Sequence, residues 1–399
     1  MFSDQVSVRI FLFFYFAFTL KLELCNGQET YTAPLSGEYI LMLIGDPPVL
    51  SMIVLSTTFS ELILVDSRCG YRNPICPRYC DNDALSKAYC SSDCQSGYLP
   101  YHRVTYCSQA DELKDSLGVW HEYSSENSTT STTTNIEWIG KQLGYETLRG
   151  RVVYDQIKIP SNMVNTTDIS TNEFILSNAL MIDGFALDAR ILGYFQGIAG
   201  LAMGEKNFVL QAFNQRVIPA AIITIVLPST IGFVKFGAYE EEVCEEWTHH
   251  PVLNNMWGLT VDSLKFLNFT STTTRIQIDN TLEIVYVPNE IVDDLVSRGL
   301  LSIDDPTELI MKYTVDCSLD LDLCFELTGQ QFCIQSKHLK TYIFSTLCSA
   351  NIRPVRDYWN GHRYTTEPTF LIGVPFFRDY CVAYNYENNQ IGLAANKLN

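Results

Sequence analysis

Two stretches of the chain, Ile53-Val-Leu-Ser-Thr-Thr-Phe-Ser-Glu-Leu-Ile-Leu64 and Ile276-Gln-Ile-Asp-Asn-Thr-Leu-Glu-Ile-Val-Tyr286, follow one pattern. Each is an apolar run, a polar three-residue turn and a second apolar run. The turn is Ser56-Thr57-Thr58 in the first copy and Asp279-Asn280-Thr281 in the second. Each copy is followed downstream by an apolar pair ending in glycine, Ile198-Ala199-Gly200 and Leu371-Ile372-Gly373. A unit that recurs on this scale predicts two similar lobes built from one duplicated motif. The interval from turn to glycine is longer in the first copy by roughly fifty residues, room for the Cys-rich segment 69–107 and part of the Ser/Thr-rich stretch Ser124–Thr134.

Around these copies, short β-branched and aromatic runs alternate with Gly, Pro, Asn and Asp. Examples are Tyr39–Ile44, Leu50–Leu55, Leu62–Val65, Ile222–Leu227, Ile276–Ile278 and Val382–Tyr386. Such runs bounded by turn formers predict strands. Helical spacing of apolar residues is confined to Phe208–Arg216 and Asn289–Arg298, the latter with Pro288 and Asn289 as its expected cap. The predicted class is mainly β.

The 399 residues are 47% hydrophobic and 18% charged, a globular balance that excludes disordered, collagen-like and coiled-coil chains. The length allows two cores of ordinary domain size. Forty-five acidic residues against 27 basic ones give a formal charge of −18. That charge repels nucleic-acid phosphates and anionic membranes, so neither is an expected partner. It suits an acidic compartment, where protonation relieves self-repulsion.

Arg9 precedes the apolar run Ile10–Leu20, and Lys21 ends it. This run is far shorter than the roughly 20 residues a bilayer span needs. Residues 1–27 therefore read as a secretory signal cleaved near Gly27, with a signal anchor as the alternative, and no membrane contact is expected once it is removed. Cleavage removes Cys25 and leaves twelve of thirteen cysteines, an even number that fits six disulfides in an oxidising compartment. Cys76, Cys80, Cys90 and Cys94 also carry a spacing at which four thiolates close a tetrahedron around zinc, the weaker reading in a secreted chain. No metal or cofactor is expected. The sequons at Asn127, Asn165 and Asn268 predict surface glycosylation. His249-His250 lacks metal-ligand spacing and reads as an ordinary surface pair.

Five further stretches occur in an order that resembles the pepsin-like aspartic proteases across nearly all of Tyr39–Ala395. They are Gly37-Glu-Tyr-Ile-Leu-Met-Leu-Ile-Gly45-Asp-Pro47-Pro48, Gly197-Ile-Ala-Gly200-Leu-Ala-Met-Gly204 and Trp257-Gly-Leu-Thr-Val-Asp262-Ser263. Phe370-Leu-Ile-Gly373-Val-Pro-Phe-Phe-Arg378-Asp-Tyr and Tyr384-Asn-Tyr-Glu-Asn388-Asn389-Gln-Ile-Gly392-Leu-Ala complete the series. The resemblance implies a bilobal pepsin-like acid-protease fold, with an interlobe cleft for peptide and a hairpin flap over it. The expected parts are a signal peptide at 1–27, an N-terminal lobe at 36–240 with the Cys-rich insertion 69–107, and a C-terminal lobe at 241–399. It also implies two carboxylates, one at each turn, sharing a water. Their closeness splits their pKa values, so that one acts as base while the other holds a proton.

Here the turns depart from the family pattern of Asp, then Thr or Ser, then Gly. The first dyad position is Ser56, the second retains Asp279, and both glycine positions carry threonine, Thr58 and Thr281. No Asp-Thr-Gly or Asp-Ser-Gly occurs elsewhere: the Asp-Ser pairs at Asp66, Asp115 and Asp262 are followed by Arg68, Leu117 and Leu264. A serine hydroxyl at acidic or neutral pH is not an ionised base, and removing a positioned acid or base costs about 10²–10⁴ in rate. Asp279 is instead expected to form an Asx turn with backbone two residues on. The flap aromatic falls at Trp138, either stacking over a bound peptide or packing within the hairpin. About ten residues separate the signal from the first motif, too few for the basic prosegment that the resemblance implies.

The resemblance implies a Cys317–Cys348 bridge. Cys324 and Cys333 flank the two-residue turn Thr328-Gly329 symmetrically and face each other across a hairpin. Cys244 and Cys381 then remain to join early and late strands of the second lobe. Cys69, Cys76, Cys80, Cys90, Cys94 and Cys107 pair among themselves in no assigned order. The expected function is that of a secreted, extracellular or lysosomal homologue that has lost peptidase activity and, as a monomer, holds a peptide or protein ligand in its cleft. The alternatives are a weak acid endopeptidase using Asp279 with Ser56, and an interaction protein working through the Cys-rich loop.

Overall fold

The computed structural model describes residues 29–35, 39–57, 59–65, 123–140, 148–161, 174–186, 196–228, 232–253, 257–303, 313–344, 346–358 and 369–398. Residues 1–27, expected to be a signal, the Cys-rich segment 69–107, Thr58 and Asn165 lie outside these residues. The fold is mainly β and bilobal.

Two seven-stranded sheets carry the duplicated motif. At the centre of the first, Gly197–Gly200 runs parallel to Val49–Ser56 and antiparallel to Leu62–Val65. At the centre of the second, Thr369–Ile372 runs parallel to Phe269–Ile278, and antiparallel to Val285–Val287. Both glycines follow from this crowding, because the returning strand presses against the turn it serves. A Cβ on Gly200 would lie 2.4 Å from the Phe59 oxygen, and one on Gly373 would lie 2.0 Å from the Leu282 oxygen.

A six-stranded sheet joins the two halves. Its order is Tyr31–Leu35, Gly232–Phe236, Ile222–Val226, Tyr380–Asn385, Gln390–Ala395 and Thr248–Pro251. Residues in and beside these three sheets, including Leu55, Ile225, Trp257, Ile278 and Tyr384, belong to one continuous buried core. Burial of that apolar area, at roughly 25 cal/mol per Å², is the main force holding the halves together.

The predicted strands recur within two residues of their expected bounds, except that Ile276–Ile278 is the end of the longer strand Phe269–Ile278, and the strand Tyr31–Leu35 is an addition. It carries Pro34, which lacks an N–H, and it occupies a sheet edge, where that loss is tolerated. The helix at Phe208–Asn214 is capped by buried Asn207, whose Oδ1 accepts from the Val209 and Leu210 amides. The second helix, Asn289–Ser297, keeps Pro288 of the expected cap and corrects the part given to Asn289. Pro288 occupies the cap position with no side-chain bond, and Asn289 is the first helical residue. Its Oδ1 accepts instead from the Arg356 amide at 2.9 Å. His250 is a second correction: strand alternation buries it, and its ring meets Phe332 edge-on at 5.9 Å, while His249 remains exposed.

Candidate active site

Ser56 and Asp279 hold equivalent places. Ser56 ends the strand that enters its turn and Asp279 directly follows its own, and each is tied by backbone to the returning segment. The Leu201 amide donates to the Ser56 oxygen at 2.6 Å, and the Asp279 amide donates to the Ile372 oxygen at 2.9 Å. Both side chains are buried, Ser56 at 6% exposure and Asp279 at 1%.

Asp279 forms the expected Asx turn. Its Oδ1 accepts from the Thr281 amide at 3.0 Å and from the Thr281 hydroxyl at 2.7 Å. The neighbouring Asn280 reaches across the junction, donating its Nδ2 to the Leu55 oxygen at 2.8 Å. Sequence reasoning passed over Asn280 because an amide beside an acidic turn residue carries no pattern of its own.

Beneath the turns lies an aromatic platform. Trp257 Nε1 and the Tyr386 hydroxyl both donate to the Leu201 oxygen, at 2.6 and 2.8 Å. The Trp257 ring packs against Tyr384 at 4.9 Å and edge-on against Tyr386 at 5.0 Å. Asn207 adds Nδ2 bonds to the Gly200 oxygen and the Tyr386 hydroxyl, so the first helix, the returning strand and the late strands share one buried network. Burial pushes the Tyr384 and Tyr386 hydroxyls above the ordinary tyrosine value, and the charge of Asp279 pushes Tyr384 further. Both remain neutral phenols at any pH relevant to acid proteolysis.

Trp138 lies on the strand Thr132–Gly140, which pairs with Leu148–Ile159; residues 141–147 between them lie outside the described residues. The indole is 7% exposed and packs with Phe59, Ile63, Val152, Ile182 and Ile198. Its Nε1 donates to Glu61 Oε1 at 3.3 Å. These contacts seat the indole against neighbouring strands of the same sheet.

A family model described as "Eukaryotic aspartyl protease" matches residues 43–396. The chain belongs to that family. Similar proteins include "Aspartic protease 2" of Necator americanus, 22% identical over 379 residues that cover 89% of this chain and 82% of the relative. "Aspartic protease 1" of Caenorhabditis elegans is 25% identical over 378 residues, 88% of this chain and 80% of the other. "Plasmepsin I" of Plasmodium falciparum is 26% identical over 228 residues, 52% of this chain and 47% of the relative.

Within this aspartyl protease framework three disulfides among the described residues link Cys244 to Cys381, Cys317 to Cys348 and Cys324 to Cys333. The turn between the last pair has Thr328 at φ 50° and Gly329 at φ 79°, the two left-handed residues of a tight two-residue hairpin. Cys69, Cys76, Cys80, Cys90, Cys94 and Cys107 lie outside the described residues. Asn127 and Asn268 are exposed, each at a chain reversal. No helix among the described residues is long and apolar enough to cross a membrane.

One feature of this aspartyl protease homologue had no sequence signal. Asp155 and Asp183 are buried, and hydroxyls from the segment ahead of the strand Thr132–Gly140 donate to them. Tyr123 and Thr130 donate to Asp155 at 2.9 and 2.5 Å, and Ser125 donates to Asp183 at 2.6 Å. Isolated aspartates in β-rich sequence read as surface residues, and only the fold brings the hydroxyls to them.

Proposed function

We propose that this chain is a secreted or lysosomal pepsin-like homologue without peptidase activity. In this reading lobes 36–240 and 241–399 form a cleft that holds an extended peptide or protein segment by strand addition. One observation carries it: the turn position equivalent by fold to Asp279 is occupied by Ser56. An alcohol there is no base in acid. Ser56 brings no charge to the junction, so the like-charge repulsion on which a carboxylate dyad depends has no source at that position. The Thr281 hydroxyl on Asp279 Oδ1 further engages the remaining carboxylate.

The protein acts as a monomer, with a peptide or protein ligand and neither nucleic acid nor a membrane as partner. The Asn127, Asn165 and Asn268 sequons carry N-glycans, as a secretory route provides. A second reading draws on the protease names of the relatives: residual hydrolysis by Asp279 with a water held by Ser56.

The test is digestion of an unfolded protein substrate by purified secreted material at about pH 3, between the two pKa values of a pepsin dyad. An Asp279→Asn variant serves as control. The expected result is no cleavage above the control, with retained capture of extended peptides from a synthetic library. Cleavage that disappears in the control would overturn the inactive reading in favour of weak proteolysis.

A further inference from the structure

Asn268 stands at the tip of the hairpin formed by Gly258–Phe266 and Phe269–Ile278, where Leu267 at φ 51° reverses the chain. It opens onto a groove of about 200 Å³ between this hairpin and the helix Asn289–Ser297. The floor is apolar, made by buried Phe266, Ile291 and Leu295. The rim is polar, with Arg298 Nη1 and Asp294 Oδ2 paired at 3.0 Å and both side chains exposed.

We infer that this groove is the seat of the first N-acetylglucosamine of a glycan on Asn268. The inference rests on the proposal that the Asn268 sequon is glycosylated. In that modification the Asn268 amide nitrogen forms a bond to sugar C1 while the C1–O bond to a lipid pyrophosphate breaks, the lipid pyrophosphate leaves with that electron pair, and the nitrogen gives up one proton. The groove suits a sugar attached in this way. A pyranose has an apolar face of ring C–H groups, suited to the floor, and an edge of hydroxyl and acetamido groups, suited to the Asp294–Arg298 rim. Size favours a single ring, since pockets for drug-sized ligands run about 300–1,000 Å³. The tether supplies the rest: a sugar attached to a residue that lines the groove is present at an effective concentration in the mM range, so weak contacts suffice to hold it.

The experiment is hydrogen exchange of the segment 289–298 in protein secreted by a host that adds only high-mannose glycans. Three forms are compared: fully glycosylated, trimmed by endoglycosidase to one N-acetylglucosamine, and Asn268→Gln. Thr270→Ala, which abolishes the sequon and keeps the asparagine, is a second unglycosylated form should the first fail to be secreted. The seated sugar gives equal protection in the first two forms and exchange about threefold faster or more in the unglycosylated ones, with the strand Ile222–Val226 unchanged in all. A glycan present on Asn268 by peptide mass mapping, with equal exchange in every form, would overturn the docking. Absence of the glycan in the secreted protein would overturn the modification itself.

Discussion

The side-chain amide of Asn280 donates to the main-chain oxygen of Leu55 at 2.8 Å, across 225 residues of sequence. Leu55 immediately precedes Ser56 and Asn280 immediately follows Asp279, so this bond ties the two turns directly to each other. Both partners are fully buried. Asn280→Ala leaves the Leu55 oxygen without this donor, which is expected to cost about 1–3 kcal/mol. The urea midpoint at neutral pH reads the loss, and a change below about 0.5 kcal/mol would show that sheet packing alone fixes the junction.

Returning a carboxylate to the first turn tests the chemistry directly. Ser56→Asp combined with Thr281→Gly supplies a second acid and removes the hydroxyl now 2.7 Å from Asp279 Oδ1. The double variant is expected to cleave unfolded protein at about pH 3 at least about 10²-fold faster than the parent chain. Ser56→Asp alone should gain less, because the Thr281 hydroxyl stays in place. A folded double variant as inert as the parent would mean that something other than this carboxylate separates the chain from active proteases.

Trp138 is expected to act on stability first. Trp138→Ala empties a site walled by Phe59, Ile63, Val152, Ile182 and Ile198 and should cost about 3–5 kcal/mol. Trp138→Phe keeps an aromatic ring and gives up the 3.3 Å bond to Glu61, a loss nearer 1 kcal/mol. Thermal unfolding of both variants separates the contributions, and equal losses would contradict the packing role.

What was legible in the sequence was whatever repeats or obeys a short period. The two turns and their glycines recur as text, and they recur as paired parallel strands because one geometry needs the same residues twice. Thr328-Gly329 was legible because a two-residue turn has few solutions. His250, Asp155 and Asp183 were not. Each is a polar residue whose burial depends on partners distant in sequence: Phe332 for His250, and Tyr123, Thr130 and Ser125 for the aspartates. Asn289 shows the limit of local rules, since a good capping residue was drawn instead to the Arg356 amide.

His250 makes the fold sensitive to acid. Burial holds its imidazole below the ordinary histidine value, and the neighbouring His249 lowers it further, against an opposing effect of Asp262. Protons therefore bind the unfolded chain before the folded one. This stabilising contribution is complete above the unfolded value of about 6.5 and diminishes as pH falls from there to the lower folded pKa. His250→Phe keeps a ring against Phe332 and removes the titration. Its unfolding free energy should fall less than that of the parent chain between about pH 7 and pH 5, and parallel curves would exclude His250 as a source of the acid sensitivity.

Gly200 and Gly373 should respond alike, because each takes its residue from the same crowded return of a strand upon its turn. Alanine at Gly200 would bring Cβ to 2.4 Å from the Phe59 oxygen, and at Gly373 to 2.0 Å from the Leu282 oxygen. The obstacle is backbone in both cases, so no side chain can rotate away, and the strand itself must shift. A cost of about 3 kcal/mol or more is expected for each. Gly299→Ala is the control: at φ 68° it meets nothing within 4 Å, so its cost should stay near the 1–2 kcal/mol of a left-handed residue. Chemical denaturation of the three variants orders them. Were Gly299→Ala the most damaging, backbone conformation rather than close approach would govern these positions, and the duplicated turns would have lost their shared physical reason for glycine.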